Sequence, residues 1–173
     1  MLGRQILALT VVAAPCAAQA GIPFSQHGSV TQRVGFTDIS IEYNRPVARG
    51  RRLFGGLVKW GRVWHPGADS ATTITFSTGV LIEGRPLAAG SYTLWTIPDS
   101  TQWTVIFSRA LHVFHYPYPG DSLDALRVTV TPQAAQHMEV LAFYFPVVGP
   151  DSATLQLHWG TTAVPIRIKI PPN

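Results

Sequence analysis

The sequence predicts an all-β fold, a single antiparallel β-sandwich of about ten short strands with little helix. Two observations favour this class: apolar residues alternate with polar ones along several segments, and turn-forming residues separate these segments at regular intervals. A third observation is that no amphipathic helical pattern of useful length occurs, although residues 121–126 are compatible with a single turn. A jelly-roll-like arrangement or an irregular barrel is the alternative within the same class.

The clearest strands have one apolar and one polar face. In residues 38–44, the side chains of Ile39, Ile41 and Tyr43 alternate with polar ones. Residues 153–159 and 164–170 alternate in the same way, and the polar positions of the first segment are Thr154, Gln156 and His158. Such alternation predicts strands with one buried and one solvent-facing side.

Other segments of strand-forming composition complete the sheets. Residues 92–97 and 140–145 are apolar on both faces, which predicts central strands or strands beneath a covering loop. The remaining candidate strands are residues 29–34, 72–77, 80–83, 103–108 and 126–131. Turns are predicted between strands at residues 83–86, 89–90, 98–100, 149–152 and 160–161, where Gly, Pro, Asp and Ser concentrate.

Residues 46–69 do not fit this alternation. The segment is rich in glycine, arginine and tryptophan and has no sustained period. Long connections without regular structure are uncommon in compact domains, and those that exist often carry function. We therefore expect a functional site, if there is one, in this long connection.

Residues 1–20 have the pattern of a secretory signal peptide. Arg4 precedes an apolar run over residues 6–14, and small residues follow up to an Ala18-Gln19-Ala20 end. We expect cleavage after Ala20 and export to the periplasm or the exterior. A lipoprotein anchored through Cys16 is the alternative, and Pro15 before that cysteine, where a small residue is expected, argues against it.

Composition restricts what the remaining chain can do. Residues 21–173 have the size of one ordinary domain. Cys16 is the only cysteine, so the mature domain is predicted to form no disulfide and no thiolate metal site. His112 and His115 would point to opposite faces of a strand, and no third ligand has a defined spacing. The sequence therefore predicts neither a metal site nor a cofactor.

The charge pattern argues against a nucleic-acid partner. The formal net charge is +4, but the basic residues are scattered, and only Arg49, Arg51 and Arg52 cluster. A nucleic-acid-binding surface usually has a continuous basic stripe. No second apolar segment is long enough to span a membrane, so the sequence also predicts no membrane span.

A series of short motifs runs through the long connection and the strands around it. These motifs include Ile41-Glu42-Tyr43-Asn44-Arg45-Pro46, Leu53-Phe54-Gly55-Gly56-Leu57-Val58, Val63-Trp64, Ala71-Thr72-Thr73-Ile74-Thr75-Phe76, Ile82-Glu83-Gly84 and Trp103-Thr104-Val105-Ile106-Phe107. In this series the chain resembles a family of exported bacterial proteins, the domain of unknown function DUF2911, over nearly all of residues 21–173. The resemblance implies export and a β-rich fold, and it implies no activity.

The chain departs from the family pattern at the candidate site. Where the family usually has a basic residue after the tryptophan and an asparagine after Gly-Ala, this chain has His65-Pro66 and Asp69. If relatives bind a ligand through those positions, the ligand or its affinity differs here.

Seven residues in and beside the long connection are the candidate ligand-binding residues. Arginine side chains suit carboxylate or phosphate groups, and tryptophan faces suit stacking. The alternative is structural, with an ion pair of Glu42 with Arg51 or Arg45 and with aromatic side chains plugging one end of the sandwich. The candidates are Glu42, Arg45, Arg51, Trp60, Trp64, His65 and Asp69.

Three functions are compatible with these observations. The first is a non-catalytic module that binds a small polar or saccharide-like ligand at the long connection. The second is an envelope interaction protein that uses a sheet edge or residues 116–119. The third is a hydrolase using His65, Asp69 and Glu42, although no nucleophile motif and no catalytic residue is predicted.

Overall fold

The structure, a computed structural model, describes residues 24–172. In this range the chain forms ten β-strands and one turn of 3-10 helix, Asp121–Leu123. The strands are β1 (Gln26–Val34), β2 (Thr37–Arg45), β3 (Thr73–Phe76), β4 (Val80–Ile82), β5 (Arg85–Leu87), β6 (Gly90–Ile97), β7 (Trp103–Ser108), β8 (Asp124–Val130), β9 (Gln133–Val148) and β10 (Ser152–Lys169).

The strands form two antiparallel sheets. One has six strands in the order β1-β2-β3-β6-β7-β8, and the other has four in the order β5-β4-β10-β9. Their inner faces pack into one apolar core that includes Ile39 and Ile41 of β2 and Leu155 of β10, each fully buried. The predicted fold class is confirmed: the described chain is all-β and sandwich-like and does not close into a barrel.

The six-stranded sheet also buries apolar residues on its outer face. Trp95 of β6 and Ile106 of β7 form a second cluster with Ala71, and Tyr118 packs edge-on against Trp95 at 5.3 Å between ring centroids. The loop that carries Tyr118 therefore covers part of this face. This explains why β6 is apolar on both sides.

The C-terminal strands differ from the prediction. Residues 153–159 and 164–170 were expected to be two strands joined by a turn, but they belong to the single strand β10. Gly160 has φ 58° and lies between two register shifts of the β9–β10 pairing. A glycine with positive φ inside a strand marks a β-bulge as readily as a turn, and the bulge lets the strand bend and continue.

The predicted polar face of β10 is also more buried than expected. Gln156 and His158 were predicted to face solvent, but their exposed fractions are only 7% and 5%. The His158 ring lies within 2.9 Å of the Gln136 carbonyl oxygen and 3.0 Å of the Tyr144 hydroxyl. The Tyr144 side chain and the Gln136 backbone of β9 thus contact this ring, which leaves a position on the predicted polar face buried.

A short strand was missed. Glu83 and Gly84 form the two-residue turn of a β4–β5 hairpin. Both residues have positive φ, as a type I′ turn requires. Residues 85–87 were predicted as connection because the segment is three residues long and contains Pro86. Proline is tolerated here because β5 is an edge strand. Its outer side pairs with no other strand, so the missing backbone N–H of proline costs no inter-strand hydrogen bond there.

The predicted signal peptide over residues 1–20 and Cys16 lie outside the described residues, so both remain predictions. Within residues 24–172, no helix is long and apolar enough to cross a membrane.

Candidate ligand-binding site

The long connection is fixed to both sheets by backbone hydrogen bonds. Near its start, the Ala48 amide donates to the Glu139 carbonyl oxygen at 2.7 Å and thereby joins β9. Further on, the Gly61 amide donates to the Pro98 carbonyl oxygen at 2.8 Å, and Trp64 exchanges two such bonds with Thr96 of β6. The connection therefore has defined backbone partners although it forms no long strand.

Aromatic side chains from this connection close one end of the sandwich. Phe54 lies at the centre, with ring centroids 4.9 Å from Trp103 and 5.8 Å from Trp64. Trp64 in turn stacks on Trp159 of β10 at 6.0 Å and 11° between ring planes. These four rings, which we call the aromatic plug, continue the core, and they match the structural alternative for Phe54 and Trp64.

Trp60 is the ring that remains exposed beside the plug. Its exposed fraction is 41%, and its ring stacks on Phe54 at 6.2 Å and 27°. Gly55 permits this position, because a Cβ there would lie 2.5 Å from the Trp60 Nε1 atom. Trp60 therefore presents a flat apolar ring to solvent while Phe54 packs against it.

Two hollows lie on either side of Trp60. The first, which we call the Arg52 hollow, has a volume of about 360 Å³, and Arg51, Arg52, His137 and Thr161 are among its lining residues. The second, the Asp99 hollow, has a volume of about 240 Å³ and is lined by residues that include Asp99, Ser100 and Gln133. Trp60, Thr161 and Thr162 line both hollows, so Trp60 forms a ridge between them.

Each hollow is lined by a tryptophan whose indole nitrogen has no partner among residues 24–172. Trp159 lines the Arg52 hollow and Trp103 lines the Asp99 hollow. The Nε1 atoms of both are buried, and neither finds an acceptor among residues 24–172. An unpaired buried donor costs about 1–3 kcal/mol, and such groups are uncommon in folded proteins.

The candidate arginines have separate surroundings. Arg51 donates from Nε to the Ala48 carbonyl oxygen at 2.9 Å and from a terminal nitrogen to the Val47 carbonyl oxygen at 2.6 Å. These bonds hold it beside the Arg52 hollow. Arg45 donates from Nε to the Leu141 carbonyl oxygen at 3.1 Å, which ties β2 to β9 instead. Arg52 is exposed, and no acidic side chain of the described residues pairs with it.

Glu42 lies away from the hollows. Its carboxylate is half exposed on the outer face of β2 and contacts the His27 Nε2 atom of β1 at 2.8 Å. Within residues 24–172, the alternative ion pair of Glu42 with Arg51 or Arg45 is absent, since both arginines bond to carbonyl oxygens.

His65 is buried beneath the outer face of the six-stranded sheet. Its exposed fraction is 2%, and its ring packs edge-on against Trp95. The Thr72 backbone amide donates to the Nε2 atom, so Nδ1 carries the proton, and Nδ1 has no partner in the described chain. Burial, with a smaller electrostatic contribution from nearby His115, lowers the pKa of His65 to about 3. The ring is therefore neutral and its only free lone pair is occupied.

Asp69 acts through its backbone. It has φ 58°, and its carbonyl oxygen accepts the His115 backbone amide at 2.9 Å, which fastens the loop containing His115. Its side chain is exposed and forms no hydrogen bond with His65, whose partners within the described residues are atoms of Thr72. Residues 24–172 also contain no cluster of three His, Cys, Asp or Glu side chains able to hold a metal ion.

The structure thus brings together three of the seven candidates, Arg51, Trp60 and Trp64, at the end of the sandwich. His65 and Asp69 lie on the outer face of the six-stranded sheet, and Glu42 and Arg45 lie along β2. Sequence reasoning missed Asp99, Ser100 and Thr161, which line the hollows. Their turn-like composition was the available signal, but it indicates a bend and does not show what the bend faces.

Comparison with known proteins identifies the family. Neither the comparison with curated proteins nor the one with solved structures gave a match. The family model described as "Protein of unknown function (DUF2911)" matches residues 25–168, which include all strands except the last residue of β10. The resemblance predicted from the motifs is confirmed, and the chain belongs to the DUF2911 family.

Proposed function

We propose that this protein is an exported, non-catalytic binding module, located in the periplasm or outside the cell. Its ligand is a small polar or saccharide-like molecule that rests on Trp60. The signal-peptide pattern of residues 1–20 supports export. The exposed Trp60 ring between two hollows is the observation that carries the ligand proposal.

The chemistry of this site suits a saccharide-like ligand. A sugar ring has apolar C–H faces, which pack on an aromatic ring, and peripheral hydroxyls, which need hydrogen-bond partners. Trp60 offers the ring. Asp99 and Ser100 on one side, and Arg52 and Thr161 on the other, offer acceptors and donors at the rim. Arg52 also suits a carboxylate substituent on such a ligand.

The geometry at His65 weighs against the hydrolase alternative. A general base needs an accessible nitrogen with a pKa near the working pH. His65 is buried, its Nε2 atom accepts the Thr72 amide, and its pKa is lowered to about 3. Among the described residues, neither the Asp69 nor the Glu42 carboxylate forms a hydrogen bond or ion pair with this ring. These three residues therefore do not form an acid–base set.

Ligand-dependent thermal stability tests the proposed function. Mono- and disaccharides, neutral and acidic, are screened against the mature domain, and a ligand at a hundredfold excess over its Kd stabilises it by about 2.7 kcal/mol. Trp60→Ala should abolish the shift. Phe36→Ala is the matched control, because Phe36 is 89% exposed at the tip of the β1–β2 hairpin and lines neither hollow. A shift that survives in Trp60→Ala would refute the site.

An envelope interaction protein is the second candidate. The loop over residues 111–120 leaves Phe114 and Tyr116 exposed at 55% and 77%, although Tyr118 beside them packs on Trp95. Exposed aromatic residues are enriched at protein interfaces. If this candidate is right, a partner should co-purify from envelope extracts with the unmodified protein and be lost with Tyr116→Ser. Unchanged co-purification would exclude this loop.

A further inference from the structure

A third and larger depression continues from the Trp60 site. It lies where β8 approaches β9 and β10 and has a volume of about 760 Å³. Half of its lining residues have amide or hydroxyl side chains, and we call it the glutamine groove. Its polar lining includes Gln102, Gln133, Gln156, Thr129, Thr131 and Thr154.

Gln156 is the unusual member of this lining. Its exposed fraction is 7%, yet its side-chain amide makes no hydrogen bond with any residue in the range 24–172. The amide is not among the fully buried side-chain atoms without a partner in residues 24–172, so it still reaches solvent, and its donor and acceptor are available at the groove. A ligand in the groove would supply both an acceptor and a donor to this amide.

The three depressions form one track. Gln133 lines both the glutamine groove and the Asp99 hollow, and Trp60 lines both the Asp99 hollow and the Arg52 hollow. Pockets of about 300–1,000 Å³ hold a whole small ligand. The glutamine groove alone is in that range, so the complete track exceeds what one or two sugar rings fill.

The charge along the groove indicates a neutral occupant. Its ionic side chains are Glu83 and Arg167, and they satisfy each other through bonds of 2.8 and 2.6 Å between the guanidinium and one carboxylate oxygen. Apart from this ion pair, the groove presents amide, hydroxyl and apolar side chains. Amides and hydroxyls both donate and accept, as the hydroxyls of a neutral sugar require.

We propose that the ligand is a neutral oligosaccharide chain. One sugar ring stacks on Trp60, and successive units extend past Gln133 into the glutamine groove, where Gln156 binds a hydroxyl. This inference rests on the proposed function and adds the length and charge of the ligand. It predicts that affinity increases with chain length until the groove is filled.

Calorimetric titration with cello-, chito- and malto-oligosaccharides of two and six units tests whether affinity increases with chain length. For the sugar that binds, the hexasaccharide should bind at least tenfold more tightly than the disaccharide. Gln102 lines the groove and neither hollow, so Gln102→Ala should weaken hexasaccharide binding about fivefold and leave disaccharide binding unchanged. Gln156→Ala should do the same, and the exposed Gln102 keeps the test valid if that buried variant does not fold. Gln136→Ala is the matched control, because Gln136 is exposed on β9 and lines no part of the track.

The outcomes separate this inference from the proposed function. If the disaccharide and the hexasaccharide bind with equal affinity and Trp60→Ala abolishes the binding of both, the Trp60 site is correct and the extended track is wrong. Equal weakening of both ligands by the glutamine variants would also overturn the track. If none of these oligosaccharides binds, the inference of a neutral chain is refuted, and the proposed function is then decided by the thermal-stability screen, which includes acidic sugars.

Discussion

His65 makes the stability of this protein depend on pH in a calculable way. The ring is buried and neutral in the folded state, with a pKa of about 3, whereas an ordinary histidine has 6.5. Below pH 6.5 the unfolded chain therefore binds a proton at His65 that the folded chain does not. Stability from this residue is complete above pH 6.5 and is lost as the pH falls from 6.5 towards 3.

The size of the effect follows from the difference between the two pKa values. Each pH unit below 6.5 costs about 1.4 kcal/mol, because one pKa unit corresponds to that free energy. Between pH 7.5 and pH 5.0 the loss from His65 is therefore about 2 kcal/mol. A domain has a total stability of only about 5–15 kcal/mol, so the loss is large enough to measure in urea unfolding.

The comparison with His65→Gln isolates this residue. The glutamine carbonyl oxygen reaches the position of Nε2 and accepts the Thr72 amide but does not titrate. The variant should be less stable at pH 7.5, because it packs less well against Trp95. Between pH 7.5 and 5.0 it should lose about 2 kcal/mol less than the unmodified protein. Parallel pH profiles for the two proteins would refute a buried neutral His65.

Three further predictions concern stability, each measured by urea unfolding. Gly160→Ala should cost at least about 1 kcal/mol more than Gly84→Ala, because both have positive φ but only a Cβ at Gly160 meets Leu53, at 2.7 Å; equal costs would contradict the tight packing. Glu42→Gln should change stability by less than about 1 kcal/mol, since its pair with His27 is exposed; a loss of 3 kcal/mol, on the order expected for a buried ion pair, would contradict that placement. Tyr118→Phe should cost about 1–2 kcal/mol, because the hydroxyl bonds to Asp124 and Arg127; no loss would show that these bonds are not formed.

Period-2 alternation was enough to predict the sheets because it reports which face of a strand is buried. Ile39, Ile41 and Tyr43 face the core as predicted. The sequence pattern was misleading where a residue's local turn preference competes with strand pairing. Gly160 and Thr161 predict a turn by composition, but the residues before and after Gly160 both pair with β9, so its positive φ belongs to a bulge.

The candidate site was predicted only in part, because an irregular segment has no period that assigns side chains to faces. Trp60 and Trp64 are four residues apart in the same connection. Trp64 stacks on Trp159 inside the plug, whereas Trp60 rests outside on Phe54. The contact that places Trp64 in the plug is with Trp159, 95 positions away in sequence (159 − 64), and no local pattern encodes such a contact.

The rigidity of the long connection decides what Trp60 can do as a binding surface. A side chain on a mobile loop must be ordered when the ligand arrives, and each immobilised side chain costs about 0.5–1.5 kcal/mol of affinity. Here the Gly61 amide is bonded to the Pro98 carbonyl oxygen, and the ring itself rests on Phe54 between hollows that are already formed. The connection lacks regular structure and is nevertheless held at both sides of Trp60 by backbone and ring contacts. A ligand that fits these hollows therefore needs little reorganisation, which is the condition under which a small, partly exposed site binds with useful affinity.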